Sequence, residues 1–206
     1  AIHALAVLGE MQGPRIGVVT VTGAGGIMCA DACEEAGLTF GQMPAGLREE
    51  LLRGLPDWVH VSNPIDIWPI GMLGNRYEEA WRLSLTELLK SPGIDGVMAI
   101  FFVTSSPLHA ELDLEKAFAE ARRESGNLKP IATWPYMESS AAIDRFEAIP
   151  GLACFDTIEQ AVQGLSYCHQ AHRLKNRHEP QPRRFAVAGA AASELAGKGK
   201  REGVLV

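Results

Sequence analysis

From Arg15 to Arg173 the chain alternates short apolar runs with stretches of helical spacing, and this alternation restricts its fold more than any other feature. Ile16–Val21 reads as a strand buried on both faces, followed by a helix over Ile27–Ala36 with Gly37 as its C′ residue. Leu38–Phe40 resumes as a short strand, and Ala45–Gly54 places Leu47, Leu51 and Leu52 at helical spacing. Val59–Val61 reads as a short strand that leads into the turn-rich SNPIDIWP. Arg76–Lys90 reads as a helix, Gly96–Val103 as a strong strand and Leu108–Glu124 as a helix. Strand Lys129–Thr133, helix Ser139–Phe146, strand Ala153–Phe155 and helix Thr157–Arg173 complete the series. Strands separated by helices pair in parallel through right-handed crossovers. The expected fold is therefore α/β, an open doubly wound parallel sheet with a flavodoxin-like strand order rather than a six-stranded dinucleotide-type order.

The flanks differ in composition. AIHALAVLGEM, with Ile2, Leu5 and Leu8 on one face and Gly13-Pro14 at its end, reads as the end of a helix from a preceding domain, residues 1–14. Residues 15–174 form the α/β domain. Residues 175–206, rich in Pro, Ala, Gly and charge, read as a linker expected to lack a packed fold. The 206 residues suffice for one large domain and a tail. A net charge of −6 argues against a nucleic-acid partner, and no apolar run reaches the roughly 20 residues that span a membrane. Cys29, Cys33, Cys154 and Cys168 lack a zinc-like spacing, so they read as small buried thiols, with no metal site. Free thiols suit the cytoplasm.

The run TGAGG, residues 22–26, joins the first strand to the first helix of the domain. A dinucleotide fingerprint places Gly23 and Gly25 correctly, but its third glycine falls on Met28, and Leu38–Phe40 offers no acid for a ribose. A Walker loop requires a lysine, and none lies nearby. What remains is a helix N-terminus whose amides at Gly25, Gly26 and Ile27 point outward and suit a phosphoryl oxyanion. Equally, glycine favours any βα turn, and Ala30, Ala32 and Ala36 let helix and sheet approach. Ser62-Asn63-Pro64-Ile65-Asp66 belongs at the same carboxyl edge of the sheet. Asn63 and Asp66 there form either an Asx-turn fixed by Pro64 or the wall of a small-ligand cleft. Ser105, within Thr104–Pro107 at the end of the next strand, would line that cleft too.

Taken in order, GVVTVTGAGGIMCADACEEAGL, VSNPIDIWP, IDGVMAIFFVTSS, KPIATW and GLACFDTIEQAVQGLSYCHQ resemble the ligase-CoA domain of NDP-forming acyl-CoA synthetases, relatives of succinyl-CoA synthetase. The resemblance runs from about Arg15 to Arg173. It implies conversion of a small carboxylic acid, CoA and ATP or GTP, with Mg, into acyl-CoA, NDP and phosphate through a phosphohistidine. It further implies that Thr22, Gly23, Ala24, Gly25, Gly26 and Ile27 open a power helix that receives the phosphohistidine, so that Gly25→Val should impair phosphotransfer while sparing the fold. Asp31 matches an acid of the family pattern, or else favours the helix dipole. REGVLV resembles the approach to an ATP-grasp domain. The implied partners are the phosphohistidine loop, CoA-binding domain and ATP-grasp domain of the same enzyme, in an oligomer.

One departure matters. The family's active histidine sits in a His-Thr-Gly-type loop N-terminal to such a segment, and none of His3, His60, His109, His169, His172 and His178 stands in one. The chain therefore carries no catalytic residue of its own and binds no cofactor tightly. It is expected to be a module that is inactive alone. The alternative is the non-catalytic, metabolite-sensing synthetase-like domain of a protein lysine acetyltransferase.

Overall fold

A computed structural model describes residues 1–103, 113–136 and 140–177. The elements in chain order are α1 (Ile2–Val7), β1 (Arg15–Thr20), α2 (Gly23–Ala36), β2 (Thr39–Phe40), α3 (Leu47–Leu52), β3 (Ile65–Asp66) and α4 (Ile67–Gly74). They continue with α5 (Tyr77–Lys90), β4 (Gly96–Phe102), α6 (Glu115–Ser125), β5 (Ile131–Tyr136), α7 (Ser140–Glu147), β6 (Leu152–Cys154) and α8 (Ile158–Lys175). All strands pair in parallel, in the order β2-β1-β4-β5-β6. This is the flavodoxin-like order, with β3 as an addition. β2 pairs with the start of β1 and β3 with its end, Val19↔Ile65 and Thr20↔Asp66, so two short strands share one side of β1.

The double burial expected of the strands has a direct cause. Successive residues of a strand face opposite sides, and here both sides are covered. Val19, Val97, Ala99 and Phe101 join one core with Trp81, Phe118 and Phe146 from α5, α6 and α7. Ile16, Val18, Met98 and Ile100 join the other with Cys29 and Cys33 of α2 and Leu165 of α8. All four cysteines are buried thiols outside any disulfide.

Three local readings require correction. Helix α1 stops at Val7, with Gly9 at φ +79°, and buries Ala4 and Leu8 rather than Ile2 and Leu5, which are exposed. It lies on α8, where Cys168 Sγ approaches the Ala4 carbonyl, and Ala1–Lys175 forms one compact unit. Helix α4 was hidden by its proline. Asp66 is the N-cap, so Pro69 falls in the first turn, where its missing N–H has no ladder partner to lose. Val59–Val61 forms no strand. The tail beyond residue 177 lies outside the described residues.

Candidate functional site at the carboxyl edge of the sheet

In an open parallel sheet, ligands bind beyond the carboxyl ends of the strands where the connections diverge, which here is the end of β1. A hydroxyl organises that end: Thr20 Oγ1 donates to the Thr22 carbonyl at 2.9 Å and accepts from the Thr22 amide at 3.1 Å. The chain turns within two residues, and α2 begins at Gly23, four residues before the expected start. Gly37 closes the helix in the left-handed conformation, as expected.

The early start changes which amides are available. Gly26 N–H already bonds to the Thr22 carbonyl, and Ile27 follows within the helical ladder. The amides without a ladder partner are those of Gly23, Ala24 and Gly25, not Gly25, Gly26 and Ile27. Gly23 and Ala24 are exposed, whereas Gly25 and Gly26 are buried. A β-carbon on Gly25 would stand 3.0 Å from Thr20 Oγ1 and 3.3 Å from Ile100 Cδ1. One on Gly26 would stand 3.2 Å from Pro64 Cβ. The two readings left open by the sequence thus divide along the loop. The outer residues present amides, and the inner glycines admit close packing. It follows that Gly25→Val would not spare the fold. Asp31 lies beyond the first turn of α2, too far along for the dipole reading.

Asp66 joins this edge from β3. Its Oδ1 accepts from the Trp68 amide at 3.0 Å and caps α4. Its Oδ2 turns toward α2, 3.6 Å from where a β-carbon on Gly23 would be. Burial raises the Asp66 carboxyl above its ordinary value, against the opposing pull of the Trp68 and Gly23 amides.

Asn63 does not line a cleft. Its Oδ1 accepts from the Val18 amide at 2.8 Å, and its Nδ2 donates to the carbonyls of Ile16 and Gly41 at 2.9 and 2.8 Å. The side-chain amide serves as a peptide group in the gap between β2 and β3. At Asn63 the Asx-turn reading fails as well, since every one of these bonds crosses to another segment; it holds at Asp66, whose Oδ1 accepts from the amide two residues on. Pro64 packs on Gly26, and Ser105 lies outside the described residues.

An aromatic row went unread in the sequence. Trp68 meets Phe102 edge-on at 6.2 Å, Phe102 meets Tyr136 at 4.4 Å, and Tyr136 stacks on Trp134 at 5.2 Å. Part of the signal was available, because two strands end in aromatic residues, IFF and TWPY, and Trp68 follows β3 by two residues, in the first turn of α4. Beyond the row, a cleft of about 320 Å³ is lined by Trp134, Tyr136, Ile143, Phe155 and Asp156. Two of the histidines serve elsewhere, His3 pairing with Glu147 and His172 with Glu10, while His109 and His178 lie outside the described residues. Among the described residues no cluster of His, Cys, Asp and Glu could hold a metal ion, and no helix is long and apolar enough to cross a membrane.

Comparison with known proteins fits this geometry. A family model described as the ligase-CoA domain matches residues 16–148. The chain is 28% identical over 180 residues to subunit alpha of the ADP-forming acetate–CoA ligase I of Pyrococcus furiosus, covering 86% of this chain and 37% of the relative. It is 28% identical over 88 residues to the ADP-forming acetate–CoA ligase II of Archaeoglobus fulgidus, covering 43% and 13%. Among solved structures, the apo form of the dinucleotide-forming acetyl-coenzyme A synthetase 1 of Ca. Korarchaeum cryptofilum shares the fold. It superposes with a TM-score of 0.64 at 24% identity, over 84% of this chain and 37% of that one. A protein of Pyrococcus horikoshii OT3 does so with a TM-score of 0.66 at 22% identity, over 84% and 38%. The chain spans well under half the length of each. These curated relatives are ligases, and the acetyltransferase-sensor alternative gains no support from them.

Proposed function

This chain belongs to the ligase-CoA domain family, and from that premise we propose that it is a module of an NDP-forming acyl-CoA synthetase that receives a phosphoryl group presented as a phosphohistidine by another part of the enzyme. One observation carries the reading: the ladder-free amides of two exposed residues, Gly23 and Ala24, open a 14-residue helix at the carboxyl edge of the sheet. Amides fixed at a helix N-terminus stabilise developing negative charge without reorganising. This chain contributes that electrostatic preorganisation. The phosphorylated histidine, the CoA, and the nucleotide with its Mg are contributed from outside the segment, so the chain alone forms no acyl-CoA.

Gly23→Pro tests the reading on the intact enzyme. It deletes one amide at the first helical position, where proline is tolerated, and the extended Thr22 (φ −152°, ψ 135°) suits a following proline. A side chain there meets only Asp66 Oδ2 at an ordinary contact distance. Removal of one oxyanion donor costs about a hundred- to a thousandfold in rate. Phosphohistidine formation and discharge should fall by that factor in Gly23→Pro, with little change in melting temperature. Gly23→Ala, which keeps the amide, should transfer phosphate near the wild-type rate. Equal rates for the proline and alanine variants would contradict the proposal.

A further inference from the structure

Helix α2 does not cap itself: Thr22 makes no side-chain bond to the first turn. The anionic oxygen facing this turn comes from β3 instead, as Asp66 Oδ2 turned toward Gly23 while Oδ1 holds the Trp68 amide. One carboxylate therefore serves the N-termini of α2 and α4 together. Among the described residues no cation acts on it. Among the described residues, neither first turn contains an acid, Thr20 and Thr22 of the β1–α2 turn are neutral, and the influences on the carboxyl are burial and the amides of Trp68 and Gly23.

We propose that Asp66 gates the α2 amides: its carboxylate holds the position that a phosphoryl oxygen would take, and must rotate away or accept a proton before a phosphoryl group can bind. The inference rests on the cradle reading above and adds a specificity device to it. Free anions meet a like charge on arrival, which is an effective way to reject them. A phosphoryl group carried on a docked protein segment brings contact energy that can displace the carboxylate. Neutral Asp66 also changes role, since its hydroxyl can donate to a phosphoryl oxygen where the carboxylate could only repel it.

Sulfate titrated into the 206-residue chain provides the test, because it remains a dianion across the acid-to-neutral range. Nitrogen-edited NMR would follow the amides of Gly23, Ala24 and Gly25 in the wild type and in Asp66→Asn. Asparagine is as good an N-cap as aspartate, so the bond from Trp68 and the start of α4 survive. Unchanged amide shifts away from the site would verify this. Asp66→Asn should bind sulfate at least about tenfold more tightly than the wild type at pH 7, as expected when a like charge a few ångströms away is removed. Wild-type affinity should rise as pH falls, whereas the variant should show a flat profile. Equal affinity at every pH would overturn the gate and leave the cradle standing. No shift of these amides in either protein would overturn the cradle, and the gate with it.

Discussion

The two ends of β1 carry the same kind of side chain in opposite circumstances. At its start, Asp95 is 8% exposed and held by Arg15: Oδ2 accepts from the Arg15 amide at 3.0 Å and from Nε at 2.8 Å, and Oδ1 accepts from an Arg15 terminal nitrogen at 2.9 Å. Burial pushes this carboxyl up, but the hydrogen bonds and charge of Arg15 outweigh it and hold it below its ordinary value of 3.8. At the other end of β1, Asp66 has only two amides to set against burial and lies above that same value. A matched ion pair closes the amino edge of the sheet. The carboxyl edge keeps an anion with no counterion among the described residues, beside the ladder-free amides of α2. Saturated bonding marks a place built for stability, and a carboxylate set only against two amides at helix N-termini marks one built to exchange partners.

The largest effect should come from the group that joins the two ends. Asn63→Leu would leave the Val18 amide and the carbonyls of Ile16 and Gly41 without their side-chain partner. The expected loss is about 3 kcal/mol by denaturant unfolding, from buried groups worth ~1–3 kcal/mol each when orphaned. A loss below ~1 kcal/mol would reduce Asn63 to an ordinary loop residue. The two carboxylates should then separate by the sign of their pH dependence. Because the Asp95 carboxyl is lowered on folding, its contribution is present at neutral pH and disappears as pH falls through 3.8 and below. Asp95→Asn should therefore cost about 1–2 kcal/mol at pH 7 and progressively less in acid. Asp66 is raised on folding, so its ionised form opposes folding at neutral pH and the opposition is relieved as pH falls. Asp66→Asn should change stability least, by under about 1 kcal/mol, with a slight gain at pH 7 that closes on acidification. Thermal unfolding of both variants from pH 7 to pH 3 would reveal these slopes, and slopes of the same sign would end the contrast.

Much of this organisation was legible in the sequence. Doubly apolar runs such as GVMAIFF specify buried parallel strands, and GAGG followed by small residues places the first helix close against the sheet. Boundaries were harder. Glycine has poor helix propensity, so residues 23–26 read as a loop, although sheet packing at Gly25 and Gly26 draws them into α2. Pro69 concealed α4 because its harmlessness depends on the cap at Asp66, three residues earlier. Asn63 was legible as a turn residue only. Its bonds span 22 to 47 residues of sequence, and no local rule reports them. The aromatic row is likewise a product of register, since Phe102 and Tyr136 become neighbours through the pairing of β4 with β5.

The central claim, that the first amides of α2 receive the phosphoryl group, is tested most directly on the intact enzyme labelled with nitrogen-15 at glycine and alanine. Its amide resonances would be compared before and after phosphorylation of the histidine proposed to carry the phosphoryl group. The amides of Gly23, Ala24 and Gly25 should move downfield as they take up phosphoryl oxygens, while Gly26, already bonded to the Thr22 carbonyl at 3.2 Å, should stay nearly fixed. Unmoved resonances at Gly23, Ala24 and Gly25 in fully phosphorylated enzyme would contradict the account.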